Sequence, residues 1–111
     1  MKIEFFRSST GRSPIEDFIR RLSKPDRARF AEVIIDIQKY GFACPRVSFR
    51  QLRGKLWEVK FRTASGGYRV AYVMLQGEIM VWLHAFQKKT PKTPLDDLRL
   101  AEKRMMEVLR E

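Results

Sequence analysis

Glu58, Lys60, Arg62, Arg69 and His84 stand in three short segments of alternating polarity, and Lys88 and Lys89 follow just after the last of them. Cleaving an RNA phosphodiester without a metal ion requires a base for the 2′-hydroxyl, cations for the charge developing on the phosphate, and an acid for the leaving oxygen. This set contains all three types. Arg69 is the best phosphate grip, because its planar fork donates two hydrogen bonds and stays charged. Its structural alternative is an arginine satisfied by surface water or by Glu58. Glu58 can act as the base, or as an ion-pair partner that orders the arginines. His84, the one histidine, titrates near neutrality in its unperturbed form and can donate or accept a proton. A structural histidine at a strand end is the competing reading.

Lys60, Arg62 and Lys89 complete the candidate catalytic set. Arg50, Arg53, Lys55, Lys88 and Lys92 are candidates for phosphate contacts without sequence preference. Trp82 and Phe86 are candidates for stacking on a base, against the usual packing role of aromatic strand residues. No metal or cofactor is expected. The single cysteine, Cys44, excludes an internal disulfide and a Cys-based zinc site, and reads as a small packing residue. Glycine-rich phosphate loops, paired histidine ligands and Ser-centred triads are absent from the sequence.

The chain of 111 residues carries a formal net charge of +10, a field that attracts nucleic acid or an acidic protein segment. Its placement says more than its size. Residues 46–92 hold ten Lys or Arg against two Asp or Glu, and so contribute +8 of the +10. A surface made basic only for solubility mixes its signs along the chain. With 44% hydrophobic and 12% aromatic residues, the sequence can bury one core and is no disordered basic tail. A single domain over residues 1–111 is expected. The opening "MKIEFFRSSTGRS" lacks an apolar run of signal-peptide length, and no window approaches a membrane span. These features predict a cytoplasmic protein.

The elements that must position the candidates can be read from period and punctuation. "MKIEFF" alternates partly and suggests an edge strand. Ser13 as N-cap, Pro14 in the first turn and Glu16 as the capping-box acid open a helix with Ile15, Phe18, Ile19 and Leu22 on one face. Ser23 opens a second, with Phe30, Val33, Ile34 and Ile37 on its buried face and Gly41 ending it. After "GFACPRVSF", read as a loop, Trp57, Val59 and Phe61 alternate with Glu58, Lys60 and Arg62 as a half-buried strand does. "GGYRVAYVML" and "EIMVWLHAF" then form a hairpin through Gln76 and Gly77. If Tyr68, Val70, Tyr72, Val81 and Leu83 face the helices, unbroken alternation puts Arg69, Trp82, His84 and Phe86 on the opposite face. Thr93 as N-cap and Pro94 as first helical residue open a terminal helix with Leu98, Ala101, Met105 and Leu109 as its stripe. The class is α+β: an N-terminal strand, a helical hairpin, a three-stranded antiparallel meander in one sheet, and a C-terminal helix.

The segments "LWEVKFR", "GYRVAYV" and "LHAFQKKTPKTP" resemble, in order and spacing, three blocks of the RelE/ParE toxin superfamily, particularly its HigB-like, phage-related branch. The likeness covers nearly the whole chain. It implies a RelE-like fold and a metal-independent endoribonuclease that cuts mRNA, commonly at the ribosome. It also implies a cognate antitoxin as partner, of helix-turn-helix type, and no membrane. By the resemblance, Arg69 matches the arginine that contacts the scissile phosphate, and Lys60, Arg62 and Lys89 match basic positions that stabilise or protonate around it. Glu58 falls where some relatives have a carboxylate base and others a lysine. The tyrosine that some members use near the C-terminus has no match in "RMMEVLRE", which leaves its work to His84 or a lysine. The superfamily also holds ParE-like inhibitors of DNA gyrase, so a non-nuclease toxin and a plain RNA-binding domain are the alternatives.

Overall fold

Two serine caps start the helical hairpin as the sequence predicts. Ser13 Oγ accepts from the Glu16 amide at 3.2 Å and Ser23 Oγ from the Asp26 amide at 3.4 Å, each ahead of a proline in the first turn. In the computed structural model, which describes residues 1–110, these helices are α1, Pro14–Arg20, and α2, Lys24–Tyr40. Gly41, at φ 61°, closes α2 with a backbone conformation that glycine adopts without strain. The strands are β1, Lys2–Phe5, β2, Ser48–Arg53, β3, Leu56–Thr63, β4, Gly66–Leu75, and β5, Ile79–Gln87, and α3 spans Leu95–Leu109. They form one five-stranded sheet in the order β1-β5-β4-β3-β2. β1 joins parallel to β5, and the other pairings are antiparallel.

The α+β reading holds, with one strand added. β2 lies in a segment read as loop up to Phe49, and its two apolar residues, Phe49 and Leu52, stand three apart with Arg50 and Gln51 between them, off the period of two that marks a strand. Pairing with β3, Ser48 opposite Lys60 and Arg50 opposite Glu58, supplies what its own pattern lacks. The β4–β5 connection is also longer than read: Leu75 pairs with Ile79, so Gln76, Gly77 and Glu78 form the loop. Gly77, the middle residue of the three, takes φ 74°, a left-handed conformation that glycine adopts without strain.

The helical hairpin covers one sheet face and α3 part of the other. Ile15, Phe30, Val33 and Ile37 pack with Val59, Phe61, Val70, Tyr72, Met80 and Trp82. Ala101, Leu98 and Met105 pack with Leu56, Ala71, Val73, Val81 and Leu83. Trp82, Val81 and Leu83 therefore sit on the faces opposite to those that unbroken alternation gives. The cause is a bulge. Tyr72 pairs with Trp82 and Ala71 with His84, so Leu83 is the extra residue, and every side chain before it changes face relative to those after it. Trp82 is fully buried, stacked on Phe5 at 5.9 Å and edge-on to Phe30 at 6.5 Å. It offers no surface to a base, which corrects its reading as a stacking residue.

Candidate active site

β3 and β4 carry Glu58, Lys60, Arg62 and Arg69 to one face, with Lys60 directly opposite Arg69. His84, opposite Ala71 on the stretch of β5 that the bulge leaves in register, lies on the same side, as its contact with α3 shows. Yet the structure gives these residues different surroundings. Lys60, Arg62, Lys89 and Lys92 are exposed. Arg69 and Glu58 are each only 1% exposed, so the phosphate-gripping arginine of the sequence reading is no surface cation.

Glu58 is held from three sides. Its Oε2 accepts from Arg50 Nη2 at 2.8 Å and lies 3.7 Å from Arg69 Nη1, and its Oε1 accepts from Thr93 Oγ1 at 3.1 Å. Thr93 Oγ1 in turn accepts from Arg69 Nη1 at 3.3 Å. Arg69 Nη2 donates to the Pro91 carbonyl at 2.6 Å and to that of Thr90 at 3.4 Å. Its Nε has no partner among the described residues. The segment between β5 and α3 thus lies over the guanidinium. Such pairing is what lets two charges remain buried. Of the two roles open to Glu58, this arrangement is the ion-pair partner that orders Arg50 and Arg69.

His84 is also internally engaged. Its Nε2 lies 2.6 Å from Asp97 Oδ1, and its Nδ1 faces Arg104 Nη1 at 3.4 Å. The neutral ring protonated at Nε2 satisfies both, donating to the carboxylate and accepting from the guanidinium. Burial pushes the His84 pKa below its ordinary value, the Asp97 carboxylate opposes that shift, and Arg104 adds to it. The unfolded chain therefore takes up a proton first. This contribution to stability is full above about pH 6.5, the unfolded value, and is lost as pH falls through the lower folded value. Urea unfolding at stepped pH values is expected to show a loss beginning just below 6.5 that His84→Gln flattens; equal profiles for the two proteins would refute it.

The accessible cations form a separate feature. Arg46, Lys60, Arg62 and Lys88 line a groove of 360 Å³ together with Ser48 and Gly67, and no carboxylate among the described residues lines it. Arg46 takes φ 65°, an unusual conformation for a residue with a side chain. Arg53 turns instead to Glu102 of α3 at 3.2 Å, and Lys55 is exposed in the β2–β3 turn. Phe86 stacks on His84 at 5.4 Å and is 9% exposed. The arrangement can bind a polyanion along β2, β3 and the end of β5, beside a buried Glu58–Arg69 pair.

Thr93, Arg104, Asp97 and Arg46 were not among the site candidates. Asp97 reads as a first-turn acid and Thr93 as a helix cap, but the helix is capped by Pro94 without a side-chain hydrogen bond. That frees the Thr93 hydroxyl for Glu58 and Arg69. Nothing in "TPKTP" marks it, because a proline following a threonine is the ordinary signature of a threonine cap. Arg104 and Arg46 left no signal beyond their charge.

Among the described residues, no group of His, Cys, Asp and Glu could hold a metal ion, and no helix is long and apolar enough to cross a membrane. No curated protein matches the chain. Residues 17–106 match the family described as phage-derived protein Gp49-like (DUF891), from within α1 through α2 and β2–β5 to most of α3. On that match the chain belongs to the phage-derived Gp49-like family.

Proposed function

We propose that this protein is the toxin of a type II toxin–antitoxin pair and a metal-independent mRNA endoribonuclease that blocks translation in the cytoplasm, in association with the ribosome. The observation that carries the reading is the carboxylate-free groove of Arg46, Lys60, Arg62 and Lys88 beside a buried arginine and carboxylate. The RelE/ParE-like sequence blocks and membership of a phage-derived family support it. The groove cations hold the RNA backbone, and Arg69 stabilises charge on the scissile phosphate. Lys89, exposed after β5, supplies a proton to the leaving oxygen in this reading. A cognate antitoxin of helix-turn-helix type holds the toxin inactive.

A second reading has an observation of its own. Glu58, Arg69 and His84 are all engaged by partners within the fold, which suits a binder of RNA, or a ParE-like gyrase inhibitor, without proton transfer. Mapping new RNA 5′ ends within minutes of induction separates the two. Fresh cuts in mRNA, in register with codons, are expected; growth arrest without new cuts would move the assignment to gyrase or to simple binding.

The groove carries its own prediction. The triple variant Lys60→Ala, Arg62→Ala, Lys88→Ala is expected to weaken RNA binding by at least about 100-fold at low salt and to reduce the slope of log affinity against log salt by about 2. Its stability should change little, because exposed cations contribute little to folding. Fluorescence anisotropy at stepped salt measures both, and an unchanged slope would place the RNA elsewhere.

A further inference from the structure

We propose that the Thr90–Thr93 segment is a built-in occupant of the Arg69 anion seat, which an incoming phosphate must displace. Arg69 is 1% exposed and directs both terminal nitrogens into this segment. Pro91 O at 2.6 Å, Thr90 O at 3.4 Å and Thr93 Oγ1 at 3.3 Å stand where the oxygens of a bound phosphate would be. The fit is incomplete. Arg69 Nε is buried without a partner, an unsatisfied donor that a tetrahedral anion can take and this segment does not.

The segment is poorly fixed elsewhere. Thr90, Pro91 and Lys92 are exposed, and apart from the contacts to Arg69 their side chains make one local bond, Thr90 Oγ1 to Lys92 O at 2.7 Å. Its hold on the sheet runs through Thr93, whose hydroxyl donates to Glu58 Oε1 at 3.1 Å. Neutral carbonyls are weaker acceptors for a guanidinium than phosphate oxygens. The exchange is therefore favourable once the anion arrives, and the groove of exposed Lys60 and Arg62 with half-buried Lys88 lies next to Arg69 to deliver it. Closed, the segment pairs both terminal nitrogens of a buried cation. Open, it frees the Arg69 guanidinium for the anion.

This rests on Arg69 being a phosphate site, as proposed above, but not on cleavage. The test is titration of the full chain with inorganic phosphate, followed by backbone amide shifts in β3 and β4 and by the Arg69 Nε–H resonance. Thr93→Val removes the hydroxyl that ties the segment down and is expected to tighten phosphate binding by about tenfold. Pro91→Gly keeps the carbonyl but makes the open form more accessible, and about threefold is expected. Adding Arg69→Gln to either is expected to abolish the gain. Equal affinity in wild type and both segment variants, or a gain that survives Arg69→Gln, would overturn the proposal. If Thr93→Val does not fold, Pro91→Gly decides alone. Tighter phosphate binding with no RNA cleavage by any variant would remove the nuclease reading and leave this one standing.

Discussion

Replacing Arg69 with alanine is expected to abolish growth arrest and also to lower the unfolding free energy by about 3 kcal/mol, the scale for removing one partner of a buried ion pair. Read from sequence, Arg69 is a surface cation whose loss spares the fold. The structure corrects that expectation. At 1% exposure, beside a Glu58 that is equally buried, the substitution leaves the carboxylate with Arg50 and Thr93 alone. It also leaves the Thr90 and Pro91 carbonyls without their donor. Loss of toxicity in this variant would therefore prove nothing about chemistry.

The informative change is Arg69→Lys, which keeps a buried cation near Glu58 but removes the fork. Its stability is expected to fall by about 1 kcal/mol, the scale of one hydrogen bond, and RNA cleavage by about 100-fold, the scale for one donor to a developing anion. Urea unfolding and a cleavage assay on the same preparation give both numbers. Wild-type cleavage in a folded Arg69→Lys protein would remove Arg69 from the reaction.

Replacing Trp82 with alanine is expected to be the most damaging single change to the fold among the site candidates, at about 4 kcal/mol, because a fully buried indole leaves a large cavity. Trp82 is where β1 and the helical hairpin meet the sheet, through Phe5 and Phe30. Had it faced the RNA, the same change would weaken binding and spare stability. Trp82→Phe separates the two, keeping most of the apolar volume. Its RNA affinity should stay within about twofold of wild type, while its stability falls by about 1.5 kcal/mol. A folded Trp82→Phe protein that binds RNA tenfold more weakly would contradict the burial.

Local rules were legible in the sequence wherever one residue type has one use. The serine caps, the glycine ending α2, the apolar stripes of the hairpin and the alternation along β3 all stand where their patterns put them. Two segments escaped. β2 has too weak a pattern to be seen alone, since it is a strand by virtue of its pairing with β3. The face of Trp82 was misread because a bulge adds one residue, and nothing in "VWLHAF" marks where.

The sequence by itself determined the α+β class, the order of most elements and the concentration of positive charge in residues 46–92. Each of these follows from periodicity, capping chemistry or counting, which are properties of neighbours in the chain. Only the tertiary structure decided which cations are free and which are spent. Arg46, Lys60, Arg62 and Lys88 share a groove, whereas Arg69 is buried under Thr90–Thr93, Arg50 is paired with Glu58, Arg53 with Glu102, and Arg104 is turned to the Leu83 carbonyl and His84. A charge acts according to its partner and its exposure to water, and both are set by residues far away in sequence. Thr93 shows this most plainly: the same hydroxyl is a helix cap by local rule and, in the folded chain, the bridge between Glu58 and Arg69.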